Sequence, residues 1–182
     1  CSTNLCMAEA KAFTNAFLGI NHALAHKVGG EFAVTHGRAN AVLLPYVIEY
    51  NAGLPSKFVS LPKYEQYIAP EKYRQIAAHL GLPAATQEEG VHSLIEAVSG
   101  LSRSLGIPAT FAELGIGRKE FMSKVPELAE KAFADQTTTT NPRLPLISEL
   151  ADILRLAYTG EKVRVKEETM YSLTGIQPDT IP

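Results

Sequence analysis

Apolar positions recur at helical spacing along most of the chain. From Met7 to about His26 the residues are good helix formers, with Phe13, Phe17, Leu18 and Leu24 among the apolar ones. This segment is apolar on almost every side, the mark of a buried helix, and Gly29 and Gly30 are expected to end it. A second apolar helix is expected from about Gly37, through Val42, Leu43, Tyr46, Val47 and Tyr50, towards Asn51 and Gly53. Pro45 lies inside it and predicts a kink or break near Leu44. Leu54 to Pro70 carries three prolines among mixed polar residues and reads as a long connecting loop.

Beyond that loop, Pro70-Glu71 opens a short helix with Tyr73, Ile76, Ala77 and Leu80 on one face, and Gly81 and Pro83 stop it. Thr86 and Glu89 have capping-box spacing ahead of a stripe at Val91, Leu94, Ile95, Val98, Leu101, Ser102 and Leu105. Gly106 and Pro108 repeat the stop signal, so LGLP and LGIP are punctuation and no repeat lies behind them. Two short helices are expected around Arg118–Lys124 and Pro126–Asp135, followed by a polar loop at Gln136–Asn141. A last helix is expected over about Pro145 to Tyr158, with Gly160 as its stop. Glu161 to Pro182 alternates weakly as VRVKEE and reads as a short strand or a disordered tail. The pattern predicts an all-α fold, a helical bundle of seven or so helices in residues 1–160, with 161–182 as a tail.

Composition narrows the class. The 182 residues are 46% hydrophobic and 20% charged, ordinary for a globular chain. A net charge of −2 argues against nucleic-acid binding, which needs clustered Lys and Arg. No apolar run approaches the roughly 20 residues that span a bilayer, and the N-terminus shows no secretory signal. Cys1 and Cys6 are the only cysteines, and they suit a reducing, cytoplasmic setting better than a disulfide framework. The sequence starts inside a helical pattern without Met, which suggests a fragment.

Three of the five histidines, His22, His26 and His36, fall in one short window. His22 and His26 are four apart and share a helix face. His36 follows a Gly-containing turn, and a chain reversal there would return it beside the other two. A buried imidazole needs a hydrogen-bond partner or a metal, and neutral imidazole is the commonest transition-metal ligand. The zinc-protease pattern fails, because Ala23 stands where its glutamate would be. Spacing alone leaves core histidines and a metal site both open. His79 sits near a helix C-terminus, where a cation suits the dipole, and His92 suggests no role.

The surrounding residues add a resemblance. Gly19, His22, His26, Gly29, His36-Gly37, Ala39-Asn40-Ala41 and Leu44-Pro45 together resemble the signature of the iron-containing alcohol dehydrogenases. Ile76–Ala84, Leu105–Ile116 and Ala132–Leu150 are most similar to the alcohol dehydrogenase half of bifunctional aldehyde-alcohol dehydrogenases. The likeness runs from roughly Met7 to Gly160. It implies the helical C-terminal domain of the dehydroquinate synthase-like fold.

The resemblance also implies a role for individual residues. His22 and His36 match two of the family's metal ligands, and the remaining Asp and His ligands belong upstream of residue 1. His26 matches a histidine beside substrate and nicotinamide that serves proton transfer or cofactor positioning. Phe13 matches an aromatic of the substrate and nicotinamide pocket, with plain core packing as the alternative. Thr137 stands where close relatives often carry a cysteine near the substrate. Asn141, Pro142 and Arg143 match the family pattern, with capping and locking of the loop as the plain alternative for their role. The implied cofactors are Fe(II), with zinc as the alternative, and NAD(H) held mainly by a nucleotide-binding domain absent from this chain. Gly115–Gly117 is a turn and not a dinucleotide fingerprint. The implied activity interconverts a primary alcohol and its aldehyde in a homo-oligomer, and the isolated fragment is expected to be inactive. Two rival readings are a zinc-dependent glycerol dehydrogenase-like enzyme and a non-catalytic helical interaction module with structural histidines.

Overall fold

The computed structural model describes residues 11, 17–53 and 67–161. The expectations for Cys1, Cys6, Phe13, most of the connecting loop and the tail beyond Glu161 therefore lie outside the described residues. Among the described residues the fold is all-helical: α1 (Ile20–Phe32), α2 (His36–Ala52), α3 (Ala69–His79), α4 (Gln87–Ser104), α5 (Arg118–Phe133) and α6 (Ile147–Thr159), with a 3₁₀ turn at Gln136–Thr140 between the last two.

The core is built around α1. Its Ile20, Ala23, Leu24, Ala25 and Val28 are fully buried, and the helix packs against α2, α5 and the 3₁₀ turn. An aromatic cluster joins the other elements to it. Phe121 of α5 lies with its ring centroid 5.3 Å from Phe32, 5.4 Å from Phe111 and 4.8 Å from Tyr158. The Tyr158 hydroxyl donates to the Ile116 carbonyl at 2.9 Å, so a buried polar tip is satisfied. Helices α3 and α4 form a hairpin that rests on α2.

The stop signals at LGLP and LGIP act as their sequences suggest. Gly81 and Gly106 adopt left-handed φ of 73° and 68°. In each case the glycine N–H reaches a carbonyl three residues back and the next N–H reaches one five back: Gly81 to Ala78 and Leu82 to Ala77, then Gly106 to Arg103 and Ile107 to Ser102. These are paired bonds of the Schellman type. The Thr86 hydroxyl accepts from the Glu89 N–H at 3.1 Å, while the Glu89 carboxylate accepts from Ala85 at 2.6 Å. Thr110 and Glu113 repeat that arrangement after LGIP, at 3.1 and 2.9 Å.

Four expectations change. The chain is not helical at Phe17–Gly19, so no single helix runs from Met7 to His26. Gly29 and Gly30 do not end α1, which continues to Phe32 and stops at Ala33 in a left-handed conformation. Buried Val28 holds that turn in place, and a side chain at Gly29 would meet the Val34 carbonyl at 3.0 Å. Neither proline interrupts its helix. α2 passes through Pro45, and α5 passes through Pro126, joining two expected helices into one. Buried Phe121, Val125, Leu128 and Ala129 flank Pro126, and their packing outweighs one lost backbone bond. Finally, the expected loop at Gln136–Asn141 is a 3₁₀ turn over Gln136–Thr140, with Asn141 as its C-cap. Threonine hydroxyls close it: Thr139 donates to the Gln136 carbonyl at 2.7 Å and Thr140 to that of Thr137 at 3.1 Å.

Candidate metal centre

The turn between α1 and α2 brings the three histidines together. His22 and His26 sit one turn apart on α1, and His36 is the first residue of α2. Ring centroids are 5.1 Å apart for His22–His36 and for His26–His36, and 6.0 Å for His22–His26. His22 is half-buried, while His26 and His36 are exposed. The face that carries them is thus less apolar than the sequence implies, and it is open to solvent. Burial lowers the basicity of His22, and the neighbouring His36 and His26 rings add to that effect. A neutral His22 keeps a lone pair free to bind a cation at neutral pH.

Among the described residues, no group of three or more His, Cys, Asp or Glu side chains is set to hold a metal ion.

Two asparagines complete the immediate surroundings. The Asn40 amide nitrogen lies 3.1 Å from Nε2 and 3.4 Å from Nδ1 of His36, and donates to the His36 carbonyl at 3.0 Å. Asn21, next to His22, donates from Nδ2 to Asn40 Oδ1 at 2.8 Å. In the sequence Asn40 stands out only as part of the Ala39-Asn40-Ala41 element, without a role of its own, and Asn21 does not stand out. The spacing of Asn40 four residues after His36 was the available signal.

Thr137 is buried at 7% exposure, and its N–H and hydroxyl both donate to Asp135 Oδ1, at 3.0 and 2.8 Å. Asp135 also receives Lys27 Nζ at 2.6 Å. Burial works against the Asp135 carboxylate, but the Lys27 and Thr137 hydrogen bonds prevail and hold its pKa down to about 2. Lys27 follows His26 directly, so this ion pair ties the 3₁₀ turn to the histidine helix.

The segment Asn141–Arg143 fixes both ends of the histidine hairpin. Asn141 is 2% exposed. Its Oδ1 accepts from the Ile20 N–H at 3.3 Å at the start of α1, and its Nδ2 donates to Asn51 Oδ1 at 2.8 Å near the end of α2. Gly19 is required for this approach, because a Cβ there would lie 2.8 Å from Asn141 Oδ1. Arg143 donates to the Tyr50 carbonyl at 3.2 Å and to Glu149 at 2.6 Å, with its guanidinium 4.2 Å from the Tyr50 ring centroid. The Tyr50 hydroxyl in turn donates to Glu149 at 2.8 Å. Burial pushes the Tyr50 phenol well above its usual range, so it stays a neutral donor.

Comparison with known proteins agrees with this architecture. Residues 3–158 match the sequence model described as "Fe-containing alcohol dehydrogenase family, C-terminal". An aldehyde-alcohol dehydrogenase of Streptococcus pneumoniae is 50% identical over 153 residues, covering 84% of this chain and 17% of that protein. The NADPH-dependent butanol dehydrogenase of Clostridium saccharobutylicum is 40% identical over 158 residues, covering 87% of this chain and 37% of that protein. The solved iron-containing alcohol dehydrogenase of Thermococcus thioreducens superposes with a TM-score of 0.67 at 37% identity, over 82% of this chain and 34% of its own. The chain thus spans about a sixth of the aldehyde-alcohol dehydrogenases it matches. With its helical fold and its histidine hairpin, the chain belongs to the Fe-containing alcohol dehydrogenase family and corresponds to the family's C-terminal part.

Proposed function

We propose that this chain supplies the helical, metal-binding part of an NAD-linked alcohol dehydrogenase that interconverts a primary alcohol and its aldehyde. His22 and His36 are metal ligands in this reading, and an Asp and a third His come from outside the chain. NAD(H) is held mainly by a separate nucleotide-binding domain. Iron is the metal the family points to, with zinc as the alternative for such a donor set. The setting is cytoplasmic and the assembly a homo-oligomer; no helix among the described residues is long and apolar enough to cross a membrane.

The observation that carries the proposal is the 5.1 Å approach of the His22 and His36 rings across the α1–α2 turn. Two imidazoles sharing one ion at about 2.1 Å and near the tetrahedral angle have centroids about 5 Å apart. His26 stands at the same distance from His36, so spacing does not choose between His22 and His26. The partial burial of His22, where His26 is exposed, and the family pattern favour His22 as the ligand. An iron or zinc ion held here supplies Lewis acidity towards an alcohol or carbonyl oxygen. In this reading His26, exposed one turn along α1, takes or returns a proton at a ring nitrogen. Thr137 forms part of the pocket wall in this reading, held by the bond from its hydroxyl to Asp135.

The test uses the full-length polypeptide that carries this segment. His22→Ala and His36→Ala should each lower bound iron, measured by plasma mass spectrometry, and NAD-linked alcohol oxidation. The loss should exceed the roughly 10–100-fold that removal of a supporting group costs. His26→Ala should keep the metal and slow turnover. Unchanged metal content and activity in both ligand variants would leave the histidines structural and favour a helical interaction module. The isolated 182-residue chain should not oxidise alcohols, and robust activity there would overturn the partition of the site.

A further inference from the structure

We propose that Asn21 and Asn40 are a positioning pair that aims the His36 ring, a reading that rests on His36 being a metal ligand. The geometry around His36 is unusual for a hydrogen bond. The Asn40 amide nitrogen is 3.1 Å from one ring nitrogen and 3.4 Å from the other. Those two nitrogens are about 2.2 Å apart in any imidazole. A point so nearly equidistant from both, if it lay in the ring plane, would press into Cε1. The amide therefore lies over the ring face, and both ring nitrogens keep their in-plane directions open.

That arrangement suits a ligand. A conventional hydrogen bond from Asn40 would occupy the lone pair a metal needs. An amide over the face leaves the lone pair open and restricts rotation of the ring. His36 needs such restraint, because it is exposed at the first position of α2 and has little packing of its own. Its other ring neighbours are His26, inclined by only 24° at 5.1 Å, and His22, tilted by 51° at 5.1 Å.

Asn40 is itself held. Its Nδ2 donates to the His36 carbonyl at 3.0 Å, and its Oδ1 receives Asn21 Nδ2 at 2.8 Å across the two helices. Asn21 Nδ2 also reaches the Asn40 carbonyl at 3.3 Å. The opposite end of the Asn21 amide shows what it is for. Asn21 Oδ1 is buried without a hydrogen-bond partner, a costly state for a carbonyl oxygen. An apolar residue would avoid that cost, but it would provide no donor for Asn40.

The experiment is a Co(II) titration of the metal-free, full-length polypeptide, read by the visible ligand-field bands and by Kd. Asn40→Ala and Asn21→Ala are compared with His36→Ala, and the thermal midpoint of each metal-free variant is recorded. Both asparagine variants should bind Co(II) roughly 10–100-fold more weakly, with displaced bands and metal-free midpoints close to the parent. Asn21→Ala touches no imidazole and discards an already unpartnered oxygen, so it remains informative if Asn40→Ala fails to fold. Parent-like affinity and bands in Asn21→Ala, alongside weakened binding in His36→Ala, would overturn the positioning role and leave the metal site standing. Parent-like binding in His36→Ala would overturn the metal site, and the positioning role with it.

Discussion

Asn141→Ala tests the packing argument most directly, because the residue joins three parts of the fold through one buried amide. The substitution removes the acceptor for the Ile20 N–H, which helps cap α1. Loss of a side-chain cap costs about 1 kcal/mol. It also strips Asn51 Oδ1 of its donor at 2.8 Å, and Asn51 is only 4% exposed. An orphaned buried polar group costs about 1–3 kcal/mol. Together the two effects give a destabilisation of about 3 kcal/mol. In a domain of this size that lowers Tm by about 6–12 °C. Urea unfolding followed by helical circular dichroism should show a lower midpoint at an unchanged slope. Asn51→Ala and the double variant complete a cycle in which the two single losses are less than additive. A loss under about 0.5 kcal/mol for Asn141→Ala would be typical of an unremarkable surface position and would refute the account of this amide as a clamp.

Three other outcomes are expected from the same measurements. Gly19→Ala sets a Cβ 2.8 Å from Asn141 Oδ1 and should cost about 1–3 kcal/mol as the amide is pushed off α1; a neutral result would mean that α1 starts without that cap. Asp135 has a folded-state pKa near 2, below its ordinary 3.8, so its contribution is complete above about pH 4 and fades as pH falls towards 2. Asp135→Asn should therefore flatten the acid limb of the stability–pH curve, and an unchanged slope between pH 4 and pH 2 would contradict the Lys27 pairing. Pro126 is exposed inside α5, and Pro126→Ala restores a donor for the Met122 carbonyl. Stability should rise by about 1–2 kcal/mol, the helical gain exceeding the extra freedom of the unfolded chain; a loss would show that the proline has a packing role.

Local signals were legible wherever the cause was local. Gly81, Gly106 and Gly160 end helices because left-handed φ is needed at those points, and Thr86 caps α4 through a bond three residues long. The histidine trio could be anticipated for the same reason: i, i+4 spacing and one short turn suffice to assemble it. The sequence misled where distant packing overrode local preference. Gly29-Gly30 and Pro126 carry strong stop signals, yet Val28, Val125 and Leu128 are buried around them, and the helices continue. What Asn141 fastens, unlike its part in locking a loop, was beyond reach for the complementary reason. Its bond to Ile20 spans 121 residues, and no periodicity records a contact of that range. Asn40 belongs to a recognisable motif, but its pairing with Asn21 is not legible, because nothing in a one-dimensional pattern shows that two amides on adjoining helices face each other.

The span of that clamp bears on the order in which the chain acquires structure. Synthesis yields α1 and α2 first, and their own turn is enough to gather the imidazoles loosely. Asn141 and Arg143, which secure the start of one helix and the end of the other, follow about a hundred residues later. Contacts across such a separation are formed late, because loop closure must precede them. During elongation, at about 5–20 residues per second, the hairpin therefore waits several seconds without its fastening. Within that interval the rings are a pliable set, and afterwards a fixed one. The moment at which the histidine hairpin becomes rigid is in this way set by the position of one tripeptide far downstream of it.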